Sequence, residues 1–130
     1  MSNIRDTQLK VTKALPAAAA TNTSDSIDLL DKSPGLKLRN AEIEVALPAT
    51  PALVDAKTIT LAIHDSADNS SFAAIPTLAS VVATGASSAG AAAITRKFKL
   101  PESARRYIRL SQTVETGGGS NIAVSASLSV

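Results

Sequence analysis

The sequence of 130 residues contains no cysteine. Disulfides, thiolate nucleophiles and cysteine-ligated metals are therefore excluded. Aromatic residues are also scarce: tryptophan is absent, and the aromatic side chains are those of Phe72, Phe98 and Tyr107. A core built mainly from small aliphatic side chains gains less from burial than an aromatic-rich core does. We therefore expect neighbouring subunits to supply part of the stability of this domain.

Neither sign of charge is in large excess, because 13 Lys and Arg residues accompany 11 Asp and Glu residues, for a net charge of +2. Nucleic-acid-binding proteins usually show clustered basic residues, and single-strand binders add stacking aromatics. No apolar run approaches the ~18 residues of a membrane span, and residues 1–6 lack the basic-then-apolar layout of a signal peptide. The sequence thus predicts no nucleic-acid partner, no membrane partner and synthesis in the cytoplasm.

What the sequence does contain is a period-two alternation of apolar and polar residues, which is typical of β-strands. The alternation is clearest in residues 41–47, 57–64 and 122–130. It is weaker in four further segments, which are residues 8–13, 26–30, 97–100 and 107–116. With one more strand between residues 77 and 93, the total is about eight short strands separated by turn residues, a pattern that indicates a sandwich or jelly roll.

The sequence therefore predicts an all-β protein, a single antiparallel β-sandwich of jelly-roll type over residues 1–130. Residues 1–6 are expected to be flexible or to be ordered by a partner. Residues 15–23 suit an extended excursion because Pro16 disfavours a helical interior. The small residues of the segment 85–90 predict a mobile loop, and the wider segment 83–93 is a second candidate for ordering on assembly.

Motifs for catalysis or cofactor binding are not found. His64 is followed directly by Asp65 and Ser66, and neighbours along a strand point to opposite faces, so these three residues cannot form a catalytic triad. Residues 65–71 depart from the spacing of an EF-hand and fit an Asx-type turn better, although an irregular ion site stays open. Residues 85–90 have the glycine spacing of a phosphate loop without its lysine. We predict no enzyme activity, cofactor or metal.

Two basic groups remain as a candidate interface: Arg96 and Lys97 in one, and Arg105, Tyr107 and Arg109 in the other. If the strand begins before Arg105, alternation puts the second group on one exposed face, opposite the apolar positions. Arginine and tyrosine are enriched at protein interfaces. The alternative is an ordinary solvated strand face, and the sequence leaves both interpretations open.

Residues 57–75 read KTITLAIHDSADNSSFAAI, and residues 105–130 read RRYIRLSQTVETGGGSNIAVSASLSV. Together these two segments resemble the small cement, or decoration, proteins of tailed-bacteriophage heads. In that family a strand, a polar Asp/Ser turn and an aromatic residue precede a final hairpin that opens with an Arg-Tyr-hydrophobic-Arg motif. The resemblance extends over most of residues 40–130, and SDSIDLLDKS near the N-terminus suits the early strands of the family.

This resemblance implies a non-enzymatic virion protein with a jelly-roll fold. Such a protein assembles as a homodimer or homotrimer on the outer capsid surface. There it bridges neighbouring copies of the major capsid protein and reinforces the head. The family has no catalytic residues that would carry over to this chain.

Two other functions are weighed against this one. A tail- or surface-associated module that binds a receptor or glycan would need exposed aromatic platforms, and we expect Phe72 and Phe98 to help fill the core instead. An enzyme on a small β-fold would need a convergent acid or base around the single histidine, His64.

Overall fold

The computed structural model describes residues 10–28, 42–75, 78–99 and 105–129. Within these ranges the chain forms β-strands and no helix, and hence no helix that is long and apolar enough to cross a membrane. The strands are β1 (Lys10–Ala14), β2 (Thr21–Thr23), β3 (Ile27–Asp28), β4 (Glu42–Leu47), β5 (Thr58–Ser66), β6 (Ala73–Ala74), β7 (Val81–Thr84), β8 (Ile94–Lys99), β9 (Tyr107–Val114) and β10 (Ser125–Ser129). The segment 1–6 lies outside the described residues.

The strands form two antiparallel sheets. One sheet has the order β1-β10-β4-β8, and the other has the order β2-β9-β5-β6. In the second sheet β3 pairs with β9 beside β2, and β7 pairs with β5 beside β6, so two short strands share each edge position. Each sheet therefore has four strand positions. The prediction of an all-β, jelly-roll-like sandwich is confirmed, and the larger strand count reflects these divided edges.

The core lies between the sheets and is aliphatic. Alternation along β4 and β5 places every second residue inside, as the sequence predicts: Ile43, Val45 and Leu47 are at most 1% exposed, and Ile59, Leu61 and Ile63 at most 4%. Burial of one such side chain contributes about 1.5–3 kcal/mol before the entropy cost of ordering the chain. Phe98 packs against this core from β8 while remaining half-buried.

The predicted C-terminal strand begins later than expected. Alternation placed Ile122 in line with Ala126 and Leu128, but β10 starts at Ser125, and Ile122 lies in a turn with 56% of its surface exposed. Asn121 holds this turn, because its buried side-chain Nδ2 donates to the Gly118 carbonyl at 3.1 Å and its main-chain carbonyl accepts from the Val124 amide at 3.0 Å.

One end of the sandwich is closed by backbone contacts, and we call residues 50–56, 85–91 and 115–121 the glycine end. A Cβ atom on Gly90 would lie 2.0 Å from the Thr50 carbonyl oxygen, and one on Gly85 would lie 2.4 Å from the Val54 carbonyl oxygen. The Ser88 amide donates to Asp55 Oδ1 at 2.8 Å. The segment that the sequence predicts as a mobile loop is thus a defined turn, because its glycines permit close backbone approach.

Candidate interaction surface

Strands β5 and β9 lie side by side in the middle of their sheet and position the second basic group. Their register pairs Tyr107 with Ser66 and Arg109 with His64. Ile108 and Leu110 are completely buried. Since neighbours along a strand alternate between faces, Tyr107 and Arg109 belong to the outer face of the sheet. We call residues 64–72 and 105–109 together the arginine end.

Arg105 does not share this outer face, so that part of the sequence prediction is wrong. Strand β9 begins at Tyr107, and Arg105 turns back onto Asp65. Its amide donates to Oδ2 at 3.0 Å, Nε donates to Oδ1 at 3.1 Å, and Nη2 donates to Oδ1 at 2.8 Å and to the Asp65 carbonyl at 2.9 Å.

The inward position of Asp65 explains this pairing. Asp65 is only 7% exposed and lies opposite Ile108 at the end of the core. A buried carboxylate is costly unless it is paired and hydrogen-bonded. Arg105 supplies both, and the hydrogen bond to Asp65 raises the pKa of the guanidinium. Arg105 is therefore a structural residue whose partner lies within the chain.

Arg106, which the candidate interface omitted, lies beside Tyr107. Its Nε and Nη2 donate to the two carboxylate oxygens of Asp28 at 2.8 and 2.7 Å. The centre of its guanidinium is 5.0 Å from the centroid of the Tyr107 ring. Bidentate Arg–carboxylate contacts of this kind are among the stronger polar interactions in proteins. The sequence offers no signal for this pair because Asp28 and Arg106 are 78 positions apart.

Arg109 lies over the ring of Phe72, with the centre of its guanidinium 3.8 Å from the ring centroid. Its Nε is buried without a hydrogen-bond partner, and Arg109 forms no ion pair with the residues described. Phe72 is half-buried beneath this cation and does not belong to the hydrophobic core, contrary to expectation. A cation over an aromatic face is an attractive contact.

His64, opposite Arg109, has a pKa below its usual 6.5. Partial burial is the main cause, because it disfavours the charged imidazolium, and the positive charge of Arg109 acts in the same direction. Asp65 opposes the shift by a smaller amount. The imidazole is therefore neutral at pH 7, and the prediction that it ends a strand running into a turn agrees with its position near the end of β5.

The turn after β5 is organised by Asp68. Its Oδ1 accepts hydrogen bonds from the amides of Ser70 and Ser71 at 2.9 and 3.0 Å and from the Ser66 hydroxyl at 2.9 Å. These bonds lower the pKa of Asp68 to about 2. This is the Asx-type turn that the sequence favours, and it leads the chain to Phe72. No group of three or more potential metal ligands occurs among the described residues.

Arg96 and Lys97 lie in the other sheet, on its edge strand β8. Arg96 is opposite Val45 on the inward side of the register, whereas Lys97 is opposite Glu44 on the outward side, with Nζ 4.0 Å from a carboxylate oxygen of Glu42. The five residues of the candidate interface therefore do not form one surface. Alternation within a strand cannot show which sheet the strand joins.

Comparisons with known proteins identify a family and a fold. A family model described as Bbp16 matches residues 10–128. No curated protein matches the chain. A solved structure described as "Crystal structure of PBSX exported protein XepA" is similar, with a TM-score of 0.58, 15% sequence identity, and coverage of 100% of this chain and 39% of that chain. At this identity the similarity shows a common fold, and this chain spans 39% of the length of that protein.

Proposed function

The chain belongs to the Bbp16 family, and from this membership we propose that it is a phage-related structural protein without enzymatic activity. It binds the outer surface of a phage capsid and bridges neighbouring copies of the major capsid protein, which stabilises the head. It assembles as a homodimer or homotrimer and resides in the virion.

The family match carries the proposal, because it extends over residues 10–128 and so includes nine of the ten described strands in full and β10 up to its last residue but one. The fold similarity to the PBSX exported protein XepA supports the phage-related part. The capsid-binding part is supported by the resemblance of residues 57–75 and 105–130 to cement proteins. The jelly-roll-like sandwich is the fold that this resemblance implies.

The edges of the sandwich limit how copies can associate. Both edges of the four-stranded sheet carry exposed basic side chains, from Lys10 and Lys13 on β1 and from Arg96, Lys97 and Lys99 on β8. Positive charges oppose each other when two such edges approach, and charged edge strands resist edge-to-edge pairing. The edges of the other sheet are divided into short strands. A homodimer or homotrimer therefore forms through faces or loops.

The aromatic residues argue against the glycan-binding alternative. A sugar-binding platform needs an open aromatic face. Phe72 and Tyr107 each have a guanidinium over one face of the ring, and Phe98 is half-buried against the core. The same contacts suit a protein interface, where arginine and aromatic residues are enriched.

The mechanism of stabilisation is additive. A single contact of modest area is weak, but symmetry repeats it over the whole shell.

The test uses phage heads that lack the protein. Purified protein is added to these heads before sedimentation. We expect the protein to co-sediment with heads and to raise their resistance to heat and to chelators. Heads that neither retain the protein nor gain resistance would contradict the proposal. Light scattering of the free protein measures its oligomeric state.

A further inference from the structure

We propose that Arg109, held on the ring of Phe72, is a binding site for a carboxylate on an acidic protein surface. This inference rests on the proposed function, in which that surface belongs to the major capsid protein. It names the chemistry of the contact and the residue on this chain that makes it.

The first argument is the difference among the three arginines of the arginine end. Arg105 is paired with Asp65 and Arg106 with Asp28. Arg109 has no acidic partner among the described residues, although its Nε is buried without a hydrogen bond. A partly desolvated cation that lacks a counter-charge is costly in the free protein. An incoming carboxylate would supply the counter-charge that the chain itself provides for the other two.

The second argument is pre-organisation. The guanidinium of Arg109 lies over the ring of Phe72, with 3.8 Å from Cζ to the ring centroid. The N–H groups of a guanidinium lie in its plane, so stacking restrains the side chain without using its donors. Phe72 is itself anchored by the turn that Asp68 closes through three hydrogen bonds. A restrained donor loses less entropy on binding than a free arginine does.

The third argument concerns charge, which selects a carboxylate over a nucleic-acid backbone. Within the part of the chain that the structure describes, the arginine end holds two ion pairs, Arg105 with Asp65 and Arg106 with Asp28, together with the acidic Asp68 of the turn that leads to Phe72. His64 is neutral at pH 7 because its pKa is lowered. Among the described residues of this end, Arg109 is the cation without an ion pair, and one such cation matches one carboxylate. Binding to a phosphate backbone requires several unpaired cations along a track.

The main experiment measures binding of variants to heads that lack the protein. We expect Arg109→Gln to weaken binding about 10-fold or more, as the loss of a buried arginine contact does. Arg109→Lys should weaken it similarly, because an ammonium neither stacks flat nor offers a fork. The matched control is Lys10→Gln, which removes one exposed positive charge from the other sheet and should leave binding unchanged. The melting temperature of each variant confirms that it is folded.

A second readout uses His64, which is the only histidine and so gives an isolated NMR signal. A hexaglutamate peptide should raise the pKa of His64, since a bound carboxylate offsets the charge of Arg109 that lowers it. A hexaserine peptide should not. In Arg109→Gln the pKa of His64 should already be higher, and hexaglutamate should leave it there. A single-stranded oligonucleotide is the third probe.

The outcomes separate the inference from the proposed function. Equal binding of wild type and Arg109→Gln to heads would overturn the carboxylate site and leave the cement function standing. If the wild type does not bind heads, the cement function is wrong, and the peptide titration decides the site by itself. A His64 response to the oligonucleotide but not to hexaglutamate would also overturn the site.

Discussion

The two ends of this sandwich are closed by opposite means. At the glycine end the backbone of residues 85–91 packs directly on residues 50–56, which is possible because Gly85 and Gly90 lack side chains. At the arginine end, charged side chains close the structure, with Arg105 on Asp65 and Arg106 on Asp28. Close steric packing tolerates changes of pH and salt but does not tolerate a larger side chain. Ion pairs weaken when the pH or the salt concentration changes, and they depend less on close packing. The two ends should therefore fail under different perturbations.

The largest effect is expected at the glycine end from Gly90→Ala. The new Cβ would lie 2.0 Å from the Thr50 carbonyl oxygen, and Gly90 has a φ of +71°, which alanine adopts only with strain. Because backbone must move, we expect a loss of about 3 kcal/mol in the free energy of unfolding. Urea denaturation measures it.

Gly117→Ala is the matched control for that substitution. Gly117 has a similar φ of +83°, but its Cβ would meet only the flexible side chain of Lys57, at 3.3 Å. Its expected loss is that of the backbone conformation alone, about 1 kcal/mol. Equal losses in the two variants would show that strain, and not close packing, accounts for the glycine at position 90.

The next largest effect is expected at the arginine end from Asp65→Ala. This substitution removes the acceptor of three hydrogen bonds from Arg105. We expect the melting temperature to fall by roughly 5–10 °C, because the charge-assisted hydrogen bonds that tie Arg105 to the buried Asp65 are lost. The control is Glu42→Gln at the exposed, 4.0 Å contact with Lys97, where surface pairs contribute little. A fall equal to that of the control would mean that Asp65 is not a structural acceptor.

The core of this molecule was predictable from sequence, whereas its two ends were not. Alternation in 41–47 and 57–64 identifies inward residues because a strand has a strict period of two. The pairing of Arg105 with Asp65 joins residues 40 positions apart, which meet only after β5 and β9 have paired. Alternation also extends back to Ile122, although the hydrogen bonds of Asn121 hold a turn there and the strand begins only at Ser125. Contacts set by sheet pairing leave no local pattern to detect.

The same limit applies to the candidate surface. Tyr107 and Arg109 were correctly placed on an outward face, because that inference needs only the alternation within β9. The stacking of Arg109 on Phe72 depends on the path of the turn at residues 67–72, which brings the ring back across β5. Arg96 and Lys97 were grouped with them by composition alone, and the sheet order separates them.

A smaller effect at the arginine end should come from protonation of His64. Its pKa in the folded chain lies below the usual 6.5, so the unfolded chain takes up the proton first as pH falls. The contribution of neutral His64 to the stability of the folded chain is complete above pH 6.5. It is lost as the pH falls through the lower pKa of the folded chain. Because His64 is only partly buried, solvent screening keeps this change in melting temperature smaller than the change expected from Asp65→Ala. His64→Gln should remove this pH dependence, while the wild-type curve keeps it.

The smallest effect on stability is expected from the titration of Asp68. This effect tests the hydrogen-bonded turn separately from the ion pairs beside it. The pKa of this carboxyl is lowered from 3.8 to about 2, so its contribution is present above pH 3.8 and is lost as pH falls towards 2. Asp68→Asn keeps an oxygen acceptor for the amides of Ser70 and Ser71 but cannot titrate, whereas Asp68→Ala loses the acceptor. Acid unfolding of the asparagine variant should therefore begin less steeply, with near-normal stability at pH 7. If the alanine and asparagine variants are equally destabilised at pH 7, the charge and not the hydrogen-bonded turn holds Phe72 under Arg109.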